Sequence, residues 1–308
     1  MDSNLNRNSR IAMLMVALSL IGGTGCVHYL MASSSSGSRN NTNPVSVPRE
    51  LTAQEKEEIA KKAELAREES RRKYELEYNN LVIAANANDP AAKTKLGIEY
   101  LKNIGYFPKD VKKGIALIKS AADDGHPDAE YYYGWLLLKG TPVESDYQIK
   151  LEQGDIELSY SEGIRLIENS AKKICAASFS RNWNYPAQDL KNIYLDGKYV
   201  LRNERISDLW FARFILHCGG QSGFSSKGKW RLFGHEYFSD AKTLAFLYLL
   251  DNSRSPLPKY YRERASAFAA TLNSEQIKEA KAIAQELRLA VRQSEQEYPD
   301  PTNYKGKK

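Results

Sequence analysis

A short string recurs along this chain at a spacing that few architectures tolerate. In "DPAAKTKLGIEYLKN" (residues 89–103), Leu96, Gly97 and Tyr100 stand at the same offsets as Tyr133, Gly134 and Leu137 in "DAEYYYGWLLLKG", 37 residues further on. "QDLKNIYLDG" sets Leu190, Lys191 and Tyr194 in the same frame. A second string alternates with the first: "KGIALIKSAADDG" (113–125) returns as "EGIRLIENSAKK" (162–173) and more loosely as "SDLWFARFILHCG" (207–219). A period of this length belongs to a helix pair that cannot bury its apolar face alone and must stack on copies of itself. The expected fold is therefore all-α, an α/α superhelical solenoid.

The junction between the strings explains the turn. In "AADDGHPDA" Ala121 and Ala122 allow close helix approach, Gly125 can adopt the left-handed conformation that ends a helix, and Pro127 cannot continue one. Asp128 is placed to cap the next helix. Gly97 and Gly134 lie inside helices, where each costs about 1 kcal/mol relative to Ala. They make sense where a neighbouring helix comes too close for a side chain. Upstream, residues 52–87 are rich in Glu, Lys, Ala and Arg. Thr52 and Glu55 there have capping-box spacing, and Ile59, Ala63 and Ala66 make only a thin apolar stripe. That predicts a solvated helix. Downstream, "SDAKTLAFLYLLDN" and "LNSEQIKEAKAIAQELRLAV" predict two closing helices, the second with Asn273 and Gln276 at capping-box spacing.

These strings resemble the Sel-one-like repeat (SLR), a relative of the tetratricopeptide repeat (TPR). Ala92, Leu96, Gly97, Tyr100, Gly105 and Asp110 match its frame, as do Ala121, Ala122, Gly125, His126, Ala129, Gly134 and Gly140. Lys191 departs from it, standing where the third repeat should carry glycine. The "LxxEQ…EA…A" pattern of the last helix looks like the one that often closes bacterial proteins of this family. The resemblance implies a binding scaffold whose first helices line a concave face, with no cofactor. It covers residues 87–225, between a charged helix (51–86) and C-terminal capping helices (226–292) followed by a tail (293–308).

The first residues point to a compartment. Two arginines precede the uncharged apolar run "IAMLMVALSLIGGTG" and Cys26, as in a secretory signal. The Gly-Thr-Gly-Cys junction resembles a bacterial lipobox, although Gly23 stands where Leu is usual. It implies a signal peptide over 1–25, lipidation at Cys26, and a Ser/Asn-rich tether over 26–50. Val27 in place of Asp favours the outer membrane by the same resemblance. The alternative is an uncleaved inner-membrane anchor over residues 11–32. Both place the body in the periplasm.

Candidate chemistry is sparse. The formal net charge of +6 has no dense basic stripe, which argues against a nucleic-acid partner. None of the four histidines has metal-ligand spacing, and "GGQSGF" has Phe224 where a nucleophile elbow needs glycine. Cys175 and Cys218 form either a disulfide or two buried thiols. Helix stacking distances of about 8–10 Å exceed the reach of a bridge, whereas an oxidising compartment favours one. Tyr132, Trp135 and Leu136 occupy positions that the repeat frame leaves free, so they are expected as exposed anchors for a partner. Asp189, Lys95 and Glu99 are expected on the same first-helix face. Packing of the aromatics beneath the long loop after residue 140, or against the charged helix, is the competing expectation. The reading is an envelope-anchored, non-enzymatic protein-binding protein, either an immunity protein against a type six secretion lipase toxin or an adaptor in envelope or exopolysaccharide-export machinery. The cysteine-rich branch said to act on β-lactams is a poor match, because the repeats lack paired cysteines.

Overall fold

The computed structural model describes residues 51–102, 108–141, 151–152, 154–177, 185–218, 239–251 and 259–301. Cys26, the signal segment, the tether, Gly105 and "GGQSGF" lie outside these residues. The chain divides into two compact units, Met1–Lys56 and Glu57–Lys308. In the first, the Thr52 N–H donates to Glu55 Oε2 (2.8 Å) and the Glu55 N–H to Thr52 Oγ1 (3.3 Å), so the expected capping box opens helix α1, Ala53–Asn86.

The described residues form helices and no strands. Three helix pairs follow α1: α2 (Pro90–Leu101) with α3 (Val111–Asp123), α4 (Pro127–Lys139) with α5 (Tyr160–Ala171), and α6 (Pro186–Asp196) with α7 (Glu204–Cys218). Then come α8 (Asp240–Asp251), α9 (Lys259–Ala269) and α10 (Ser274–Ser294). The sequence reading missed α9, since "KYYRERASAFA" shows little apolar periodicity. The Asn273–Gln276 capping box opens α10 as expected. No helix among the described residues is long and apolar enough to cross a membrane.

The internal glycines explain the pairing. A Cβ on Gly97 would lie 2.8 Å from the Gly114 carbonyl oxygen, and one on Gly114 would lie 2.8 Å from the Gly97 oxygen. Gly134 and Gly163 repeat this crossing at 2.7 and 2.8 Å. Each pair of helices thus touches backbone to backbone, as the in-helix glycines implied. In the third pair the crossing falls on Lys191 and Ser207. The Ser207 hydroxyl donates to the Lys191 carbonyl at 2.9 Å, which places Lys191 where the frame predicted it. This corrects the loose string match by one residue, since Ser207 rather than Asp208 stands opposite. Four residues beyond each crossing, Ile118, Ile167 and Phe211 are fully enclosed.

An ion pair with one buried partner sits in the same place in the first two repeats, with its polarity reversed. Lys93 on α2 reaches Asp124 at 3.1 Å and Ser120 at 3.0 Å. Glu130 on α4 reaches Lys173 at 2.7 Å, and Lys173 also donates to the Gly125 carbonyl at 3.0 Å. The second bond ties the α3–α4 turn to the next repeat.

That turn differs from expectation in one respect. Gly125 is left-handed (φ +79°) as predicted, but α4 begins at Pro127 with His126 at the cap position. Asp128 therefore lies inside the first turn, buried, and does not cap. His126 Nδ1 is instead 3.3 Å from Thr94 Oγ1 on α2. At the end of α5 no glycine makes this turn. Residues 172–177 leave the helix in a bend, and Cys175 within that bend is bonded to Cys218, the last residue of α7, with Cα atoms 5.4 Å apart. The helix-spacing argument for free thiols assumed that both cysteines ride on helices. Cys175 does not, so the gap closes.

The C-terminal segment beyond α10 also packs. The Arg213 guanidinium donates to Ser294 Oγ (3.3 Å) and to the Pro299 carbonyl (3.0 Å), and Trp210 meets Tyr298 edge to face at 5.0 Å.

Candidate functional site

The residues expected to form a partner face separate into three groups. Tyr132, Trp135 and Leu136 are 1%, 6% and 0% exposed, so none of them is an open anchor, and the expectation of an exposed trio is corrected. The reason is positional. A first helix in mid-stack has another first helix on each side, so positions that the repeat frame leaves free are still enclosed. Lys95 and Glu99 are half-buried on α2 and engaged locally, Lys95 with Glu77 of α1 (2.6 Å) and Glu99 with Lys102 (2.9 Å). Trp135 and Asp189, in contrast, are brought together.

Asp189 lies in the first turn of α6 and points its carboxylate at α4. The Tyr131 hydroxyl donates to Asp189 Oδ2, and the Trp135 indole N–H donates to the same oxygen at 3.1 Å. Tyr131 and Trp135 are four residues apart, hence on one face of α4. Burial pushes the Asp189 carboxyl above its usual range, and the two hydrogen bonds oppose that shift. Burial, reinforced by the Asp189 charge, raises Tyr131 well above an ordinary phenol. The arrangement is a clamp between adjacent first helices.

An accessible aromatic and cationic surface is built on this clamp. Trp135 meets Tyr199 edge to face at 6.3 Å, and Tyr199 meets Tyr160 at 5.6 Å. The Lys139 ammonium lies 3.7 Å from the Trp135 ring centroid and that of Lys198 5.1 Å from the Tyr199 ring. Desolvation lowers the Lys139 pKa, and the Asp189 charge pulls it back up. Tyr160 and Leu158 are exposed, Lys139 and Lys198 are exposed, and Leu201 stands almost wholly in solvent. The site thus presents an apolar and aromatic patch with a lysine rim. Sequence reasoning missed Tyr160, Lys198 and Tyr199, which lie outside the repeated strings and meet α4 only through the fold. Tyr131 was within reach, because its spacing from Trp135 is helical.

Among the described residues no group of three or more His, Cys, Asp or Glu side chains could hold a metal ion.

No protein-family profile matches the chain, and no curated protein does. Solved structures of helical-repeat proteins are similar to it. The crystal structure of a Sel1 repeat protein from Oxalobacter formigenes shares 19% identity over 70% of this chain and 78% of that one, with a TM-score of 0.36. A protective antigen present in uropathogenic Escherichia coli strains, displaying an SLR fold, shares 14% identity over 71% of this chain and half of its own length, with a TM-score of 0.24. The repeat assignment itself rests on the crossings described above, which recur within this one chain.

Proposed function

We propose that this protein is a non-catalytic repeat scaffold that binds another protein through the Tyr160–Tyr199 patch, which rests on the buried Trp135, and its lysine rim. The observation that carries the reading is the combination of exposed Leu158 and Tyr160 with a rigid support, the Asp189 clamp beneath Trp135. Aromatic groups held rigidly and surrounded by charge dominate protein interfaces, because they bury large area at low entropic cost. Lys139 and Lys198 give the rim a positive sign, so the complementary partner surface is acidic at its edge and apolar at its centre.

The apolar run before Cys26 and the polar tether behind it support a lipid-anchored body in the periplasm, with outer-membrane sorting. Labelled fatty acid should enter the wild-type protein and be absent from Cys26→Ser. Retention of residues 1–25 without label would replace the lipid with a membrane-spanning anchor. The finer reading is an immunity protein that neutralises a secreted toxin where such toxins act, supported by that anchor together with the repeat resemblance. It predicts that the gene protects cells against a neighbouring toxin delivered to the periplasm.

The patch is tested with Tyr160→Ala combined with Lys198→Glu, both on exposed side chains. Affinity for the captured partner should fall by about 30-fold or more while helicity is unchanged, the loss expected of central anchors. Undiminished binding by the double variant would remove the patch from the interface. Hydrolytic turnover by the purified chain would overturn the scaffold reading as a whole.

A further inference from the structure

The repeat register does not begin at α2. At the α3–α4 turn the Gly125 N–H donates to the Ala122 carbonyl (2.9 Å) and the His126 N–H to the Ala121 carbonyl (3.0 Å), with Gly125 left-handed. At the α1–α2 turn the Asn88 N–H donates to the Ala85 carbonyl (3.1 Å) and the Asp89 N–H to the Ala84 carbonyl (3.1 Å), with Asn88 left-handed at φ +67°. Pro90 then opens α2 as Pro127 opens α4. The offset is again 37 residues. The last turns of α1 are thus the second helix of a preceding repeat, although its charged sequence conceals the fact.

A groove of about 550 Å³ runs along this part of α1 and the start of α2. Its walls are Lys73, Leu76, Glu77, Asn80, Leu81 and Ala84 on α1, with Asp89, Ala91, Ala92 and Lys95 on α2. The same 37-residue offset carries the α1 wall onto the face of α3 that packs against α2. Glu77 maps to Gly114, the crossing with Gly97, and Leu81 maps to Ile118, which also meets Gly97. Lys73 maps to Asp110, whose N–H donates to the Tyr100 carbonyl (3.0 Å), and Asn80 maps to Leu117, packed in the Tyr100 cluster. The α2 wall is carried onto α4: Asp89 to His126, which faces Thr94 of α2, Ala92 to Ala129 and Lys95 to Tyr132, both buried. One repeat further along, this surface is therefore filled by a first helix, α2 itself. The described residues that adjoin it do not fill it, because residues 53–86 are one unbroken helix.

We infer that this groove is a docking seat for a single amphipathic α-helix of another protein, lying parallel to α2. Shape and charge both specify the occupant. In that orientation the helix N-terminus comes to Asp89 and its C-terminus to Lys73, each charge opposing the nearby pole of the helix dipole. Lys73 makes no ion pair among the described residues, so an acidic side chain in the last turn of the helix completes it. Leu76 is 63% exposed and, with Leu81, Ala84 and Ala91, forms the apolar floor. Glu77 stands where the first two built repeats have glycine and the third has Ser207, and Lys95 holds it at 2.6 Å. The seat is therefore more polar than those inside the stack, which suits a reversible partner. This surface is separate from the Tyr160–Tyr199 patch and stands without it.

The probe is the chain's own occupant of the equivalent seat. A fluorescent peptide of residues 89–103, held helical by a hydrocarbon staple on its solvent face, is titrated with the full chain and followed by anisotropy. Saturable binding with a Kd of about 10–100 μM is expected, the range open to one short helix burying one apolar face. Leu76→Arg should weaken it at least about tenfold and Lys73→Glu about threefold, whereas Ile83→Arg, exposed on α1 outside the groove, should leave it unchanged. Circular dichroism confirms that the variants remain helical. Absence of saturable binding, or equal binding by Leu76→Arg, would overturn the inference. So would sedimentation showing a dimer that Leu76→Arg dissociates, because the occupant would then be a second copy of this chain.

Discussion

Replacing Gly134 with alanine sets two physical effects of opposite sign against each other. Helix propensity alone favours the change by about 1 kcal/mol, because alanine restricts the unfolded backbone more than glycine. Packing opposes it. The added Cβ would stand 2.7 Å from the Gly163 carbonyl oxygen and 2.8 Å from Ile167 Cγ1. The first of these is backbone and cannot rotate away. An ordinary carbon–oxygen contact needs roughly 3.3 Å, so α4 and α5 must part by about half an ångström where they cross. A gap of that size forfeits about a quarter of each dispersion contact along the crossing. Overpacked cores lose about 1–3 kcal/mol, and a backbone obstacle places this site at the upper end. The net expectation is destabilisation by about 2 kcal/mol, read from the urea midpoint of the 222 nm ellipticity. Gly97→Ala should behave alike, since its Cβ would lie 2.6 Å from Ile118 Cγ1 and 2.8 Å from the Gly114 oxygen. Ser70→Ala on exposed α1 reports propensity without the obstacle and should be neutral or slightly stabilising. A raised midpoint in Gly134→Ala would show that the helices separate at no cost, and would refute the crossing as the determinant of repeat geometry.

Three further outcomes follow from the same packing. Burial lowers Lys191 from its usual value to about 7, so between pH 7 and about 10.5 the unfolded chain binds more protons than the folded one, and stability rises with pH across that window. Lys191→Met should remove most of this slope, Lys139 keeping a smaller share of the same sign, and should stabilise the protein at pH 7 by up to about 5 kcal/mol, measured by urea denaturation at several pH values; an unchanged slope would assign the pH dependence to other groups. Breaking the Cys175–Cys218 bond, which closes a 43-residue separation, should cost up to about 4 kcal/mol, seen as a lower melting midpoint in reductant that Cys175→Ser/Cys218→Ser reproduces. Glu130→Gln should destabilise by about 3 kcal/mol by leaving the Lys173 charge without its partner, and Glu130→Lys with Lys173→Asp, which copies Lys93–Asp124, should recover much of that loss in the same denaturation assay.

What the sequence determined by itself is the repeat. Local chemistry sets the helix ends: a left-handed glycine, a proline that cannot continue a helix, and the Thr52 and Asn273 capping boxes act within a few residues of themselves. The glycines at 97 and 134 were legible too, because a helix carries such a cost only where something approaches closely. The match of Lys191 to the glycine position also survived, since backbone register propagates along a helix whatever side chain it bears. What only the tertiary structure decided are the contacts between segments far apart in the chain. Tyr132, Trp135 and Leu136 look like free positions in a repeat frame, yet enclosure depends on what flanks a helix on both sides, and that is a property of the stack. Asp189 finds Tyr131 and Trp135 more than 50 residues away, and Tyr160 meets Tyr199 through a fold that no single repeat encodes. The reversed polarity of Lys93–Asp124 and Glu130–Lys173 was hidden for the same reason: attraction between opposite charges is indifferent to which helix carries which sign, so the interaction recurs while the residues do not.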